Sequence, residues 1–497
     1  MIEDLLNDID GHSLDLEQRR VVLDESNFLL VVASAGSGKT LTILGKIRYL
    51  IEIKKIKPEE ILCLSFTNDT VSNLKNKLWE NYHYMVPVYT FHKLSLEILK
   101  DDSFSIAPSD YLNYTTHEYF EGVIFAYPKL IRWLLFYFHK NPFCLKGYND
   151  LKNGFEFQEF IRELISIMSK LKTEGFSKEQ LICRRIFSWK ERFLRKLLYV
   201  LLLEYEVELH SQNLIDFDDM ISLATTKVNT RVSLKYRYIL IDEYQDTSNI
   251  RFSLVQAIQK KTGAKLMAVG DDFQSIYRFS GCNLDLFIKF SDYFQDARLL
   301  KLENTYRNSQ ELIDIAGKFI LKNKNQLRKE LKSSKSESHP IKIVYYHNEK
   351  DTFVSLIETL YSEGRRKIMI LGRNNRDIYF VLSKCFLYQD GNIILESHPD
   401  LYLYYKTIHR SKGLEEETVI LVHLENVENG LPNLRKESRI VSSLFPIHDF
   451  YPYSEERRLF YVALTRTKQD IYLLASKENP SIFVLELQKI MQQKKKR

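Results

Sequence analysis

The sequence lacks the features of membrane, disulfide-rich or low-complexity proteins. Its longest apolar stretches, around Leu130–Phe138 (interrupted by Arg132) and Leu197–Leu203, fall well short of the roughly 20 residues that cross a bilayer. The 5 cysteines are scattered, odd in number and without a Cys-x-x-Cys pair, so we expect reduced thiols and no zinc or iron–sulfur site. With 17 glycines and 11 prolines, the chain is not fibrous.

Charge is also nearly balanced. Lys and Arg number 71 and Asp and Glu 65, and the net charge of +6 permits a polyanionic partner without requiring one. The acidic N-terminus lacks the basic-then-apolar order of a signal peptide, which predicts a cytoplasmic protein. At about 150 residues per domain, a chain of this length predicts roughly three domains.

Short runs of β-branched and aromatic residues alternate with helix-length segments in two parts of the chain. The first series is Phe28–Val32, Ile61–Phe66, Val86–Tyr89, Tyr238–Ile241, Lys265–Val269 and Leu299–Leu302; the second is Ile341–Tyr346, Lys367–Leu371, Thr418–Leu424 and Asp470–Ala475. This alternation is typical of β–α–β units, which form parallel sheets. Within the first series, apolar residues at three- and four-residue spacing predict a block of helices. The sequence therefore predicts an α/β fold of two parallel-sheet lobes with a helical insertion in the first.

The predicted division follows these patterns. The first lobe comprises residues 1–93 and 215–283, the helical insertion residues 94–214, and the second lobe residues 284–497. Lys322–Ser338, rich in Lys, Ser, Asn and Glu, is predicted to form a helix end and a loop ahead of the later strands.

A candidate phosphate-binding loop follows the first predicted strand. Residues 33–40 read ASAGSGKT, with alanine at the first position where the usual pattern has glycine. The small residues let backbone N–H groups surround phosphates, Lys39 can reach the β- and γ-phosphate oxygens, and Thr40 can ligate Mg²⁺.

Adjacent carboxylates end a later apolar strand, in residues 238–246 (YILIDEYQD). Alone, such an Asp-Glu pair is often a solvated turn. Together with the phosphate-binding loop it predicts a nucleoside-triphosphate hydrolase, in which Asp242 holds magnesium through water and Glu243 orients and deprotonates the attacking water.

Further segments, in chain order, resemble the motifs of superfamily 1 DNA helicases of the UvrD/Rep type. They are residues 14–18 (LDLEQ), 65–68 (SFTN), 90–92 (TFH), 216–219 (DFDD), 270–279 (GDDFQSIYRF), 304–307 (NTYR), 407–415 (TIHRSKGLE) and 455–466 (EERRLFYVALTR). Residues 277–281 (YRFSG) and 477–481 (KENPS) point to the helicase IV branch of that family.

The resemblance implies two RecA-like lobes of the P-loop NTPase class, with ATP and Mg²⁺ as cofactors between them. The implied ATP-binding residues are Gln18 (on the adenine), Ala35, Gly36, Ser37, Gly38, Lys39, Thr40, Tyr306 and Glu415, and the implied magnesium ligands are Thr40 and Asp242. The implied catalytic residues are Lys39, Asp242, Glu243, Gln274 as sensor of the γ-phosphate, Arg307 and Arg466. Arginines supplied on lobe closure are worth about 10³–10⁵ in rate in analogous enzymes, which would tie hydrolysis to lobe movement.

The resemblance also implies a track for single-stranded DNA, formed by Phe66, Thr67, Asn68, Thr90, His92, Tyr277 and Phe279. Aromatic rings stack on bases at about 1–3 kcal/mol per base without sequence preference. Alternatives stay open for several residues. Each aromatic ring could instead be core, His92 and His409 either couple sites or pack in the core, and Asp216–Asp219 is either a helix N-cap or a second metal site.

Two features depart from the family. Leu41 stands where many members place an arginine against the adenine, which leaves only Tyr306 to stack on the base. Between Arg373 and Thr407 the chain is too short for the helical subdomain that the UvrD/Rep type inserts there. The helical insertion of the first lobe is then the element expected to meet duplex DNA, and the basic run Lys190–Lys196 is either a contact or a solvated helix face.

These features predict an ATP-driven 3′-to-5′ single-stranded-DNA translocase and helicase that acts on single-stranded and tailed duplex DNA, with no membrane partner. The alternative is a nucleotide-switched DNA-binding subunit with little unwinding of its own. It would serve a nuclease or a repair or defence factor in trans. A metabolic kinase would explain neither residues 242–246 nor the second lobe.

Overall fold

The structure, a computed structural model, describes residues 2–140, 151–183, 188–230, 232–435, 439–445, 449 and 451–495. The strands are β1 (Phe28–Ala33), β2 (Ile61–Ser65), β3 (Val88–Thr90), β4 (Ser105–Ile106), β5 (Leu214–Ile215), β6 (Tyr238–Ile241), β7 (Lys265–Gly270), β8 (Arg298–Leu302), β9 (Ile341–Tyr346), β10 (Lys367–Gly372), β11 (Phe386–Gln389), β12 (Asn392–Leu395), β13 (Tyr402–Thr407), β14 (Glu416–Leu424) and β15 (Thr467–Ser476).

The helices are α1 (Ile2–Asn7), α2 (Leu16–Leu23), α3 (Lys39–Arg48), α4 (Asn68–Tyr82), α5 (Phe91–Leu99), α6 (Tyr111–Tyr119), α7 (Pro128–Tyr137), α8 (Phe155–Thr173), α9 (Lys178–Cys183), α10 (Trp189–Ser211), α11 (Phe217–Thr230), α12 (Asn249–Thr262), α13 (Asp285–Ile288), α14 (Phe290–Tyr293), α15 (Gln310–Ile320), α16 (Glu349–Ser362), α17 (Arg439–Leu444), α18 (Ser454–Leu464) and α19 (Ile482–Lys495). In the described ranges no helix has both the length and the apolar character needed to cross a membrane.

The first lobe is a six-stranded sheet in the order β3-β2-β6-β7-β1-β8, with every pair parallel. Its inner strands are almost wholly buried because helices cover both faces, with α1 to α4 on one side and α5, α11 and α12 on the other. The carboxyl ends of these parallel strands meet at one edge. The loops that follow β1, β2, β3, β6 and β7 therefore carry most of the candidate motifs to the same place.

The helical insertion leaves the first lobe after α5 and returns before α11. Helices α6 to α10 enclose a separate apolar core, and the short parallel pair β4–β5 joins the two ends of the insertion. The boundary predicted at residue 94 falls inside α5, whose Leu94, Ile98 and Leu99 pack in the first-lobe core. The second lobe was predicted to begin at residue 284, but β8 (Arg298–Leu302) pairs with β1 in the first sheet. The sheet of the first lobe therefore extends to Leu302.

The second lobe is a seven-stranded sheet in the order β11-β12-β13-β10-β14-β15-β9. Strands β9, β10, β13, β14 and β15 are parallel, whereas the β11–β12 hairpin pairs antiparallel at the edge. The chain between Arg373 and Thr407 forms a short 3₁₀ turn, this hairpin and β13, so it holds no helical subdomain. The predicted α/β class, with parallel sheets and a helical insertion, is confirmed.

The lobes are joined by apolar as well as polar contacts. Phe273 and Ile276, from the segment after β7 of the first lobe, are fully buried in a core of the second lobe with α15 and α18.

Among the described cysteine side chains, Cys63 and Cys282 are buried and Cys385 is exposed, and all three are free thiols as predicted. Cys144 and the side chain of Cys183 lie outside the described part of the chain.

Candidate functional site

The loop between β1 and α3 has a backbone suited to phosphate. Gly36 and Gly38 have φ angles of +72° and +76°, in the left-handed region that glycine adopts without steric cost. Helix α3 begins at Lys39 without a side-chain cap, so its first N–H groups are available to an anion. A Cβ atom on Gly36 would lie 2.5 Å from Cβ of Arg307, so a larger residue would collide with the chain that enters the second lobe.

The remaining loop residues line the same turn. Ala35 and Ser37 are buried, and the Ala35 carbonyl accepts a hydrogen bond from the Thr305 hydroxyl at 2.7 Å. Thr40 lies half-buried in the first turn of α3. The loop is thus held from the segment after β8 as well as from its own strand and helix.

Gln18, predicted to contact the adenine, has its amide engaged within the protein. Its Nε2 donates to the Ser37 carbonyl at 3.1 Å, and its Oε1 accepts from the Asp15 N–H at 3.0 Å. Asp15 caps α2 in return by accepting from the Gln18 N–H at 2.8 Å. Tyr306 donates its hydroxyl to the Asp15 carboxylate, and its side chain is 49% exposed. Gln18 therefore supports the phosphate-binding loop, while the Tyr306 ring is open to a ligand.

The two adjacent carboxylates directly follow β6, and one of them pairs with Lys39. Asp242 is buried and its Oδ1 accepts from the Glu243 N–H at 2.9 Å, while the Glu243 carboxylate pairs with the Lys39 ammonium. Burial and then the Glu243 charge raise the pKa of Asp242. Burial also opposes ionisation of Glu243, but the ammonium groups of Lys39 and Lys412 outweigh it and lower the pKa of Glu243. Glu243 is therefore anionic at neutral pH, as a general base must be.

Lys412 of the second lobe contacts the carboxylates of Asp246 and Glu243 in the first lobe, which the sequence patterns did not predict. Its buried ammonium pairs with Asp246, lies 3.9 Å from Glu243 Oε2 and donates to the Gln274 carbonyl at 2.8 Å. Burial alone would lower the pKa of Lys412, but the two carboxylates raise it. Lys412 lies in the motif at residues 407–415, of which the family resemblance assigns only Glu415 to the ATP site.

Gln274 connects the two lobes. Its Nε2 donates to Asp271 Oδ2 at 2.5 Å, and its Oε1 accepts from Arg466 Nη2 at 3.1 Å. Arg466 is 1% exposed and also donates to the Val462 carbonyl at 2.9 Å. Burial and the neighbouring Arg307 lower the pKa of Arg466 to about 9, so this guanidinium still carries its charge at neutral pH.

A second buried lysine holds Asp271 in place. The Lys329 ammonium pairs with Asp271, lies 2.7 Å from Asp272 Oδ1 and donates to the Ala33 carbonyl at 3.0 Å, with no exposed side-chain surface. It also lies 3.8 Å from the centre of the Phe273 ring. The preceding helix α15 ends at Ile320, so residues 322–338 form the predicted loop without the predicted helix end. The composition of this loop gives no sign of an interior lysine, because Lys-rich loops are ordinarily solvated.

Arg307 lies on the connection between the lobes. Its Nε donates to Glu415 Oε2 at 2.5 Å and its Nη1 to the Thr465 carbonyl at 3.4 Å. Glu415, predicted to bind ATP, also pairs with Lys468 at 3.1 Å. The structure thus brings Arg307 and Arg466 together at Thr465 of the second lobe, since Arg466 Nη2 donates to the Thr465 hydroxyl at 3.3 Å.

Two rings predicted to contact DNA lie at the carboxyl edge of the first sheet. Phe66 is half-buried, with its ring 5.4 Å from that of Phe91 and 5.1 Å from the Arg251 guanidinium. His92 packs edge-on against Phe217 at 5.1 Å. Burial and then Arg251 lower the pKa of His92 to about 4, so the imidazole is neutral at physiological pH.

The polar residues predicted beside them begin two helices. Thr67 and Asn68 are exposed, and Thr67 caps α4 by accepting from the Thr70 N–H at 3.2 Å. Thr90 is buried and caps α5 by accepting from the Lys93 N–H at 3.3 Å. The hydroxyls of Thr67 and Thr90 therefore have helix-capping roles in addition to any contact with DNA.

Tyr277 and Phe279 differ in exposure. The Tyr277 hydroxyl donates to the His409 carbonyl of the second lobe at 3.0 Å, and the Lys412 ammonium lies 5.2 Å from the Tyr277 ring centre. Phe279 is 59% exposed and packs edge-on against the His409 ring at 5.4 Å. Tyr277 thus belongs to the contact between the lobes, whereas the Phe279 ring faces solvent.

The acidic cluster at Asp216–Asp219 is a helix cap. Asp216 Oδ1 accepts from the N–H groups of Asp218 at 3.0 Å and Asp219 at 2.8 Å at the start of α11. Lys172 of the insertion pairs with Asp216 at 2.6 Å and with Asp219 at 2.9 Å. The two backbone hydrogen bonds to Asp216 Oδ1 support the N-cap interpretation. Among the described residues no group of three or more His, Cys, Asp and Glu side chains is arranged to hold a metal ion.

Two family models match the chain in separate ranges. The UvrD/REP helicase N-terminal domain matches residues 14–295, and the UvrD-like helicase C-terminal domain matches residues 404–478. The chain belongs to the UvrD/Rep helicase family. By family it is an ATP-dependent DNA helicase, and the resemblance recognised in its motifs is confirmed.

Individual relatives agree with this assignment. DNA helicase IV of Escherichia coli is 28% identical over 494 residues, which cover 97% of this chain and 71% of that protein. ATP-dependent DNA helicase Rep of Buchnera aphidicola is 26% identical over 378 residues, 71% of this chain and 52% of Rep. DNA helicase II of Rickettsia typhi is 28% identical over 349 residues, 68% of this chain and 49% of that protein. The chain thus spans about half the length of the Rep and helicase II relatives.

Proposed function

We propose that this UvrD/Rep family member is an ATP-driven 3′-to-5′ single-stranded-DNA translocase that unwinds tailed duplexes. The observation that supports this most directly is the contact of Lys412 and Arg466, from the second lobe, with the Gln274 segment beside the phosphate-binding loop. Because these cations belong to one lobe and Glu243 to the other, a change of phosphate charge between them changes the attraction between the lobes. Hydrolysis is then coupled to lobe movement.

In this proposal each group beside the loop has a distinct role. Lys39 and the N-terminus of α3 bind the phosphates, which compete with Glu243 for the Lys39 ammonium. Glu243, released from Lys39, accepts a proton from the attacking water. Arg307 and Arg466 stabilise the charge that develops on the transferred phosphate. Gln274 senses the γ-phosphate, and its hydrogen bond with Arg466 links that contact to the second lobe.

The donor set fits Mg²⁺. Thr40 lies in the first turn of α3 and Asp242 directly follows β6, so two hard oxygen ligands lie at the same edge of the sheet. Burial raises the pKa of Asp242, and a divalent cation would favour its ionised form. When bound, the ion neutralises charge on the β- and γ-phosphate oxygens.

The proposed DNA track uses the exposed and half-buried members of the predicted set. Phe66 and Phe279 offer ring faces for bases, and Thr67 and Asn68 offer polar groups to the backbone. Thr90, His92 and Tyr277 position these contacts. The 3′-to-5′ direction rests on the resemblance to the family. The match to helicase family models favours this function over a nucleotide-switched DNA-binding subunit.

Hydrolysis is tested with Lys39→Ala and Glu243→Gln. We expect both variants to lose DNA-stimulated phosphate release while they keep single-stranded-DNA affinity, because neither side chain lies among the proposed DNA contacts. Steady-state phosphate release is measured with and without poly(dT), and affinity by fluorescence anisotropy. Lys260→Ala, on the exposed end of α12, is the matched control. Turnover at the wild-type level in either variant would remove these residues from the active site.

Polarity and processivity are tested on defined substrates. We expect streptavidin to be displaced from the 5′ end of single strands and 3′-tailed duplexes to be unwound in preference to 5′-tailed ones. Because the chain between Arg373 and Thr407 holds no helical subdomain, we expect unaided unwinding of short duplexes only. Displacement confined to the 3′ end would reverse the proposed direction. Efficient unaided unwinding over long duplexes would contradict the limited processivity.

A further inference from the structure

Two helices of the insertion present large aromatic side chains to solvent. On α7, Trp133 is 52% and Phe136 49% exposed, and at the start of α10, Trp189 is 41% exposed. The ring centres of Phe136 and Trp189 lie 4.7 Å apart, so the exposed aromatic side chains of the two helices form one continuous surface. None of the three belongs to the apolar core of the insertion, which is built from other residues of these helices such as Leu134 and Leu198.

Exposed cations flank these rings on the same helix faces. Lys129 lies one turn before Trp133 on α7, and Arg192 and Lys196 lie one and two turns after Trp189 on α10. We call the surface formed by Trp133, Phe136, Trp189, Lys129, Arg192 and Lys196 the aromatic–basic face. Of the basic run singled out in the sequence, Arg195 is not part of this face, because it is buried and pairs with Glu191 at 2.5 Å.

Acidic side chains are absent from the sequence around α7. No Asp or Glu occurs between Glu121 and Asp150. In the first two turns of α10 the acidic residue is Glu191, whose side chain is 11% exposed and directed to Arg195 and Ser443. The charges carried by these two helix segments are therefore mostly positive, although the whole chain is nearly neutral.

We infer that the aromatic–basic face binds single-stranded nucleic acid, with bases on the rings and phosphates on the cations. Exposed aromatic rings flanked by Lys and Arg match the two parts of an unpaired strand, its base faces and its charged backbone. A duplex would offer the phosphates, but its base faces are stacked on one another and closed to Trp133 and Trp189. The ligand class is thus an unpaired strand, which a motor that separates a duplex produces next to itself.

This inference rests on the proposed function for the origin of its ligand, but its test has a separate readout. The chain has 3 tryptophans, and two of them, Trp133 and Trp189, lie on the aromatic–basic face. The third, Trp79, is 54% exposed near the far end of α4 from Asn68. The Trp79→Phe variant therefore reports on the face by its intrinsic fluorescence, and Trp133→Phe/Trp189→Phe is the matched control that retains only Trp79.

We expect poly(dT) to quench the fluorescence of Trp79→Phe strongly and that of the double variant little, because stacking on bases quenches tryptophan. The triple variant Trp133→Ala/Phe136→Ala/Trp189→Ala should bind single strands about tenfold more weakly and keep its basal ATP turnover. Lys129→Ser/Arg192→Ser/Lys196→Ser should reduce the log–log salt slope of binding by about 2, since each phosphate contact on a single strand contributes about 0.7. Lys260→Ser/Lys261→Ser, exposed on α12, should leave the slope unchanged.

The outcomes separate the two claims. If poly(dT) stimulates ATP turnover without quenching Trp79→Phe, the inference about the face is wrong and the proposed function stands. If poly(dT) quenches Trp79→Phe but fails to stimulate turnover, the face binds single strands and the proposed motor is wrong. Quenching by poly-glutamate and not by poly(dT) would assign the face to an acidic protein and overturn the inference, as would equal quenching by blunt duplex DNA.

Discussion

Replacement of Lys329 by methionine tests whether a buried cation holds the lobes together beside the phosphate-binding loop. In the structure its ammonium neutralises Asp271 and Asp272 and donates to the Ala33 carbonyl at the end of β1. Methionine has a similar length but no charge, so Lys329→Met leaves two carboxylates buried side by side. The variant should therefore be destabilised through its charge and not through lost volume.

The magnitude follows from the burial. Removing one partner of a buried ion pair costs about 3–5 kcal/mol. At about 2–4 °C per kcal/mol for a domain of 150–250 residues, the Tm should fall by roughly 6–20 °C. Asp272→Asn added to Lys329→Met should restore part of the loss, because one of the two unpaired charges is removed while the amide oxygen can still accept from the Leu327 N–H.

The loss should also depend on pH. Burial already raises the pKa of Asp272, and removal of Lys329 raises it further. A carboxyl group whose pKa is higher in the folded than in the unfolded state stabilises the fold at acidic pH, and this contribution is lost as pH rises through the folded pKa. The difference in Tm between wild type and Lys329→Met should therefore be smaller at pH 5 than at pH 8.

The assay is thermal unfolding followed by differential scanning fluorimetry at both pH values. Lys332→Met is the matched control, since Lys332 lies in the same loop with an exposed side chain and should change stability by less than about 0.5 kcal/mol. An equal fall in Tm for the two lysines, or a fall for Lys329→Met that is the same at both pH values, would refute the argument from the buried ion pair.

Four further results are expected. Arg307→Ala and Arg466→Ala should each lower kcat by about 10³ with a much smaller change in KM, and the reverse pattern in steady-state kinetics would make them nucleotide-holding residues. Phe279→Ala should reduce poly(dT) stimulation of ATP turnover but not the basal rate, and full stimulation would exclude this ring from the DNA track. His92 should not contribute to any pH dependence of single-stranded-DNA affinity between pH 6 and 8, because burial lowers the pKa of His92 to about 4. Anisotropy titrations of wild type and His92→Gln should therefore change equally over this pH range. Asp216→Ala should lower thermal stability by about 1–2 kcal/mol through loss of the α11 cap, and an unchanged Tm would contradict this.

The strands of the two lobes could be predicted because their signals are local. Interior parallel strands such as β1 and β14 are buried on both faces and read as continuous apolar runs. Strand β13 and the β11–β12 hairpin were missed, because they lie toward the edge of the second sheet and alternate buried with exposed residues. The order of strands within each sheet was likewise beyond the sequence patterns.

The sequence by itself determined the family, the phosphate-binding loop and the identity of the charged residues around it. Only the tertiary structure decided which charges meet. Lys329 and Lys412 became buried partners of Asp271 and Asp246 because segments far apart in the chain converge at the contact between the lobes. The Gln18 amide turned inward to Ser37 for the same reason. Ion pairing and burial depend on distances between such segments, which no local pattern of residues encodes.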